Sequence, residues 1–394
     1  MPYTILGISP ASSSTTCKDP NISSHRCSSF IESLRGKNIV TEFDCGVVWE
    51  SAFKKGKMRR IRIARKRAVA VFFIISVLIF TYTMTFGNTL IVERKDSEKY
   101  IHYNNAEKML EPGDIKYSIN NKNICKQHHV VSCIVLVHSE VTHFNRRLEL
   151  RNTWLNSTFY KGKVVKVVYL VGTVNDETLT KKLVKENHQH GDIVQGNFID
   201  TFRNSTYKGF MGIKWVNEYC LNADVVIKTD DNAFINLFLF FEQYYSHIID
   251  NAYIMGAYMQ SSKIIRAKSS RWYVPDSYLK GKQMYPSPYL SGYAVFLPTT
   301  LIPSFYRAAI SSDFFPVEDY YLFGVLPAKI KSYKNGVKFQ FFDNKKYMIG
   351  NEEQWINCYA TSGQCKFLTL FTSSHRLDIE RLWYSVVKDR NLMN

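Results

Sequence analysis

The longest apolar stretch in the chain is 68–92 (AVAVFFIISVLIFTYTMTFGNTLIV), 25 residues without a formal charge. At about 1.5 Å of rise per residue, a helix of that length covers roughly 37 Å, enough for a bilayer core of about 30 Å with some tilt. The stretch lacks the polar stripe of an amphipathic helix, and it is too long and too far from Met1 for a cleavable signal peptide. The pattern therefore predicts one membrane-spanning helix. Beyond it, the runs 130–137 (VVSCIVLV), 164–171 (VVKVVYLV) and 224–229 (DVVIKT) are β-branched and of buried-strand length. Between them, 179–186 and 207–220 are predicted helices, the second with Phe210, Ile213, Val216 and Cys220 at helical spacing. Strands alternating with helices predict an α/β domain with a mainly parallel central sheet.

Charge gives this pattern a direction. Residues 54–67 (KKGKMRRIRIARKR) hold nine basic side chains and no acidic one, more than half of the formal net charge of +17. On the far flank Glu93, Arg94, Lys95, Asp96, Glu98 and Lys99 nearly cancel, so the positive-inside rule places 1–67 in the cytoplasm and the 302 residues after the span in a lumen. A basic excess beside a membrane gives no support to nucleic-acid binding. The expected organisation is a cytoplasmic tail 1–67, a transmembrane signal anchor 68–92, a polar luminal stem 93–119 containing Pro112-Gly113, and a luminal domain 120–394. Met58, directly before the densest basic run, offers a start that would give a shorter tail. At 45% hydrophobic residues the chain is too apolar to be disordered.

Cysteines and sequons agree with a lumen. Cys125, Cys133, Cys220, Cys358 and Cys365 follow the span and allow up to two disulfides, with a pairing that the sequence leaves open. Asn156-Ser157-Thr158 and Asn204-Ser205-Thr206 are glycosylation sequons on the same side.

Candidate chemistry concentrates at the end of the third predicted strand, in KTDDNAFIN (228–236). Ligands of open α/β sheets bind beyond the carboxyl ends of strands, which is where Asp230, Asp231 and Asn232 fall. Two carboxylates and an amide oxygen suit Mg²⁺ or Mn²⁺ bridging nucleotide phosphates. Taken alone, such a triplet after a strand is more often a turn or a helix cap.

Seven stretches widen the context: RRLELRNTW (146–154), YLVGT (169–173), HGDIVQGNFIDTFRNSTYKGFMGIKWVNEYC (190–220), VIKTDDNAFIN (226–236), YPSPYLSGYAVF (285–296), VEDYYLFGVL (317–326) and SHRLDIERLW (374–383). In this order the chain resembles the β-1,3-galactosyltransferase family. The resemblance implies a nucleotide-sugar transferase domain of the GT-A kind, in a single-pass type II Golgi membrane protein. It implies transfer, with inversion, of galactose or N-acetylglucosamine from UDP-galactose or UDP-N-acetylglucosamine to the 3-hydroxyl of a glycan on a glycoprotein or glycolipid. By the same resemblance Asp319 is the expected general base with Glu318 its neighbour. Asp230, Asp231, Asn232 and His375 are the expected ligands of Mn²⁺ (or Mg²⁺), and Arg151, Asp230, Asp231 and Gly292, the last in a Ser-Gly loop, are expected to meet the nucleotide-sugar. Trp154, Trp215 and Trp383 are expected in the core.

Two positions depart from the family pattern. Asn232 stands where Asp is usual, and Ala294 where a second glycine is commoner. A neutral ligand lowers metal affinity, so a glycan- or nucleotide-sugar-binding protein with impaired turnover is the rival expectation.

Overall fold

The computed structural model describes residues 112–332, 338–349, 351–361, 365–370 and 378–392. The expected tail 1–67, the anchor 68–92 and most of the stem lie outside the described residues, as does His375. Among the described residues, no helix is long and apolar enough to cross a membrane.

The strands expected from the β-branched runs are present as β2 (Val131–His138), β3 (Val165–Thr173) and β5 (Ala223–Asp230). They belong to an eight-stranded sheet with β1 (Tyr117–Ile119), β4 (Ile193–Ile199), β7 (Tyr253–Met259), β8 (Tyr289–Pro298) and β9 (Gln340–Asp343), in the order β1-β4-β3-β2-β5-β8-β7-β9. Strands β4, β3, β2 and β5 are parallel neighbours, β1 and β8 run against them, and β7 and β9, beyond β8, run with them again. The sheet is therefore mixed but mainly parallel, as expected, with β1 and β8 as its two reversed strands. Two-residue strands β6 (Phe234–Ile235), β10 (Met348–Ile349) and β11 (Thr369–Leu370) form a small second sheet. The end of the expected stem folds onto the domain, with β1 beside β4 and Ile115 in the core.

Both faces of the large sheet are covered, and this explains why β2 reads as an unbroken apolar run. Ile134 and Leu136 pack into one hydrophobic cluster, and Cys133, Val135 and Val137 into the other. On the first side lies α3 (Ser205–Tyr219), whose Phe210, Met211 and Trp215 are buried. Helix α1 (Phe144–Asn152) follows β2, and α2 (Glu177–His190) follows β3. Helix α2 has clear boundaries: the Asp176 carboxylate accepts from Leu179 N–H at 2.9 Å, and Gly191 closes the other end at φ +65°. The expected core tryptophans Trp154, Trp215 and Trp383 are buried.

The cysteines resolve into Cys125–Cys220 and Cys358–Cys365, leaving Cys133 as a buried thiol on β2. The first bridge ties the segment before β2 to the end of α3. Burial pushes the Cys133 thiol well above its ordinary range, so it behaves as a small apolar core residue.

Candidate active site

Strands β2 and β5 run parallel and end together, with His138 opposite Asp230. The chain then turns back over these ends: Asp231 N–H donates to the His138 carbonyl at 3.0 Å, and Ala233 N–H to the Asp230 carbonyl at 3.1 Å. Strand β8 comes alongside antiparallel, pairing Thr229 with Ala294, so residues 289–293 stand beyond the end of β5. Gly292 thus lies in a strand rather than in the expected loop. A helix begins at Glu318–Tyr320, with Glu318 and Asp319 in its first turn, and passes into a wide π-type turn, Tyr321–Val325. Such turns recur at functional sites. Val317 provides no side-chain cap, and the two acids point to other partners.

The Lys228 ammonium, buried on β5, collects these elements. It donates to the Gly292 carbonyl at 2.7 Å and to Asp230 Oδ1 at 3.0 Å. It also lies 3.1 Å from Glu318 Oε1, an ion pair without the angle of a directed hydrogen bond. On its other oxygen Glu318 faces His138 Nδ1 at 3.4 Å. Gly292 N–H donates to the Asp319 carboxylate. A Cβ at position 292 would stand 2.1 Å from Asp319 Oδ1 and 3.1 Å from Lys228 Nζ, so only glycine leaves room for this carboxylate.

Burial and charge set the protonation of the cluster. Asp319 is pushed up to about 6, chiefly by burial, with Glu318 and Asp230 adding to the rise and Lys228 and the Gly292 N–H restraining it. Burial likewise raises Glu318 against the pull of Lys228. His138 is held well below its ordinary range by burial and by Lys228, and it is therefore neutral. Burial opposes the charge of Lys228, but Asp230, Glu318 and Asp319 around it keep the proton on more firmly than in an ordinary lysine. A weakly basic carboxylate beside a fixed cation can accept a proton near neutral pH.

The structure separates the expected site residues into groups. Asp230, Glu318, Asp319 and Gly292 gather around Lys228. Asp230 has a side chain 35% exposed, so this carboxylate also opens to solvent. Asn232 hydrogen-bonds with the Tyr293 hydroxyl, which burial and the nearby Asp230 push up to about 12. Asp231 turns away: its carboxylate accepts from Ser139 Oγ at 2.8 Å and from Arg146 Nη1 at 3.1 Å, and lies 2.7 Å from His143 Nδ1. Burial opposes ionisation there, but His143, Ser139 and Arg146 win and hold Asp231 below the usual carboxylate range. Both Asp231 oxygens are engaged with the β2–α1 segment.

Arg151 is likewise placed elsewhere. Its guanidinium makes a two-point contact with Asp192 at 2.8 and 2.7 Å, donates to Glu186 at 2.7 Å and lies over the Tyr169 ring. These contacts place Arg151 in an ion-pair network apart from the Lys228 cluster. Arg147 joins it, wholly buried and bonded to Glu186. Among the described residues, no three His, Cys, Asp or Glu side chains stand where they could hold a metal ion.

Lys228, His138 and Tyr293 are site residues that sequence reasoning passed over. Lys228 had a readable signal, since a lysine inside a run otherwise fit for a strand buried on both faces needs a charge partner.

Comparison with known proteins bears on what such a cluster does. Residues 145–335 match the family model described as Galactosyltransferase. The chain is 31% identical over 189 residues to human "Beta-1,3-galactosyltransferase 5", covering 48% of this chain and 60% of that one. It is 31% identical over 173 residues to the zebrafish (Danio rerio) "Lactosylceramide 1,3-N-acetyl-beta-D-glucosaminyltransferase A", covering 41% and 45%. Mouse "Beta-1,3-galactosyltransferase 1" is 25% identical over 218 residues, covering 54% and 65%. The matched stretch thus spans less than two thirds of each of these relatives. Among solved structures, the galactosyltransferase LgtC in complex with donor and acceptor sugar analogs aligns over 66% of this chain and 94% of its own, at 9% identity and a TM-score of 0.30, a likeness too slight to bear on the fold.

Proposed function

We propose, from the premise that this chain belongs to the β-1,3-galactosyltransferase family, that it is a UDP-sugar-dependent β-1,3-hexosyltransferase with a GT-A-like domain. It moves galactose or N-acetylglucosamine to the 3-hydroxyl of a glycan acceptor with inversion. The observation that carries the reading is the Asp319 carboxylate, raised to about 6 and held by the Gly292 N–H beside the Asp230 end of β5. In the reaction Asp319 takes the proton of the acceptor hydroxyl as its oxygen bonds to the anomeric carbon from the face opposite the diphosphate. The bond to the diphosphate breaks and UDP leaves. Lys228 keeps Asp230, Glu318 and the Gly292 backbone in register and restrains the rise of Asp319.

A divalent cation, Mn²⁺ or Mg²⁺, fits a reduced ligand set: the solvent-facing Asp230 carboxylate and the Asn232 amide oxygen. Such ions are commonly bound by one or two carboxylates together with substrate phosphates. When bound there, the cation supplies charge to stabilise the leaving diphosphate. His375, outside the described residues, is the further ligand the family resemblance proposes.

The apolar segment 68–92 with its basic flank supports a type II Golgi membrane protein with a luminal domain, and the disulfides Cys125–Cys220 and Cys358–Cys365 agree with an oxidising compartment. Asn232 favours a second reading, a binding protein that has lost turnover. Measuring UDP release by the purified chain with UDP-galactose and UDP-N-acetylglucosamine across a panel of glycan acceptors tests the proposal. Donor binding without release on any acceptor supports the second reading.

A further inference from the structure

The segment joining β7 to β8 carries Lys263, Arg266, Lys268, Arg271, Lys280 and Lys282 between residues 260 and 284, against a single acid, Asp276. Arg266 is spent internally: its guanidinium donates to the carbonyls of Val274, Pro275, Tyr278 and Leu279 and lies 3.6 Å from Asp276. The one acid is therefore already answered. The other five cations are exposed, and none has an ion-pair partner among the described residues.

The segment is held in shape, so its charge is presented in a fixed place. Ile264 N–H donates to the Gln283 carbonyl at 2.8 Å, and Tyr285 N–H to the Ser262 carbonyl at 3.0 Å, closing its base. Arg203, from the turn after β4, donates to the carbonyls of Ser270 and Tyr273. Arg271 is sandwiched against two aromatic rings, 4.1 Å from Phe202 and 4.9 Å from Trp272. These rings are 44% and 51% exposed. An exposed indole offers a face on which a sugar ring can rest.

Its position ties it to the site. Met259 at the end of β7 pairs with Tyr289 at the start of β8, three residues before Gly292. The segment therefore leaves the sheet at the end that carries Asp230. Arg271 lies near enough for its charge to act on Tyr293, the partner of Asn232.

We propose that the acceptor taken at this site is an anionic glycan, bearing carboxylate or sulfate groups near the reacting hydroxyl, whose charge is met by Lys263, Lys268, Arg271, Lys280 and Lys282 while a sugar face rests on Trp272. This rests on the reading of the site as a sugar transferase. A phospholipid headgroup shares the anionic chemistry, but a rigid loop with its rings stacked on an arginine at the mouth of a site suits a sugar chain better than a bilayer.

The full-length purified chain in neutral detergent is the material for the test. Its binding to a chondroitin sulfate tetrasaccharide is compared with binding to the same tetrasaccharide desulfated and carboxyl-reduced, at low and at raised NaCl, with UDP-sugar binding measured in parallel. Exposed ion pairs are each weak and screened by salt, so the expected preference for the charged ligand is about tenfold at low salt, and it shrinks as salt rises. Replacing Lys268, Lys280 and Lys282 by serine is expected to remove most of this preference, and replacing them by arginine to retain it. Equal binding of charged and neutral glycan overturns the inference while leaving the transferase reading intact if UDP-sugar binds. Preferential binding of the charged glycan with no UDP-sugar binding sustains the anionic surface and removes the transferase reading. Binding to phosphatidylserine vesicles but not to the charged glycan overturns it in favour of a membrane surface.

Discussion

Gly292 and Asp319 are matched by a missing atom: the Cβ that residue 292 lacks would stand 2.1 Å from Asp319 Oδ1, where the carboxylate accepts the Gly292 N–H. Either the carboxylate or β8 must move to admit a methyl group, and Lys228 Nζ, 3.1 Å from the same point, leaves little space. Gly292→Ala is expected to cost roughly 1–3 kcal/mol of stability, as overpacking does. Transfer is expected to fall far more than the loss of folded protein explains. Activity per folded molecule, with folding followed by thermal melting, checks this, and an unchanged value sinks the placement of Asp319.

Asp319 itself carries a signature in pH. Only its ionised form takes a proton, so kcat/KM is expected to rise through about pH 6 to a plateau. Asp319→Asn is expected to retain UDP-sugar binding and lose transfer by about 10²- to 10⁴-fold. The stability change has the opposite sign. A carboxyl whose folded value is raised binds its proton more tightly when folded, so its ionisation costs stability above the folded value and nothing below the unfolded one. From an ordinary 3.8 to about 6 the cost is about 3 kcal/mol at neutral pH, on 1.36 kcal/mol per unit. The variant should therefore melt higher than the parent at pH 7.5, by a margin that disappears toward pH 4. Equal melting at both pH values would show that Asp319 is not held in this environment.

Lys228→Gln removes the cation that restrains both acids. The acid limb of the kcat/KM profile is expected to move upward from about 6. Breaking a buried ion pair costs roughly 3–5 kcal/mol, so the profile must be taken well below the melting temperature. A limb that stays in place assigns the setting of Asp319 to burial alone.

Arg151 gives the contrasting case. With its guanidinium committed to Asp192 and Glu186, Arg151→Gln is expected to cost roughly 2–4 kcal/mol of stability and leave the KM for UDP-sugar within about twofold. A tenfold rise in KM at full stability would return this residue to the nucleotide.

These contrasts show which parts of the molecule the sequence exposes. Strands β2, β3 and β5 are legible because each is buried on both faces and reads as a β-branched run. Strand β8 is not: YLSGYAVFLP mixes polar and small residues where the strand borders the site, and the glycine that makes it look like a loop is there to admit Asp319. The acids 230, 318 and 319 are legible as candidates, but the link between them is a lysine side chain spanning positions about 90 residues apart. The partners of Arg151 are hidden for the same reason, since they stand 35 and 41 positions away. Side-chain type is local information, whereas partnership is tertiary.

Asn232 separates the enzyme from the binder. Asp231 is occupied by Ser139, His143 and Arg146, so the described ligands left for a cation are the Asp230 carboxylate and the Asn232 amide. A neutral oxygen in place of a carboxylate removes one negative charge about 2 Å from a divalent ion, which weakens binding. The same amide hydrogen-bonds with Tyr293, a contact in which a carboxylate can only accept. Transfer is therefore expected to saturate only at raised Mn²⁺. Asn232→Asp is expected to lower the Mn²⁺ giving half-maximal rate by about tenfold, and to reorient the Tyr293 hydroxyl toward the new carboxylate. Titrating Mn²⁺ against UDP release for both forms checks this. Activity that appears only in the Asp form makes the natural chain a binding protein, and identical titrations remove residue 232 from the metal site.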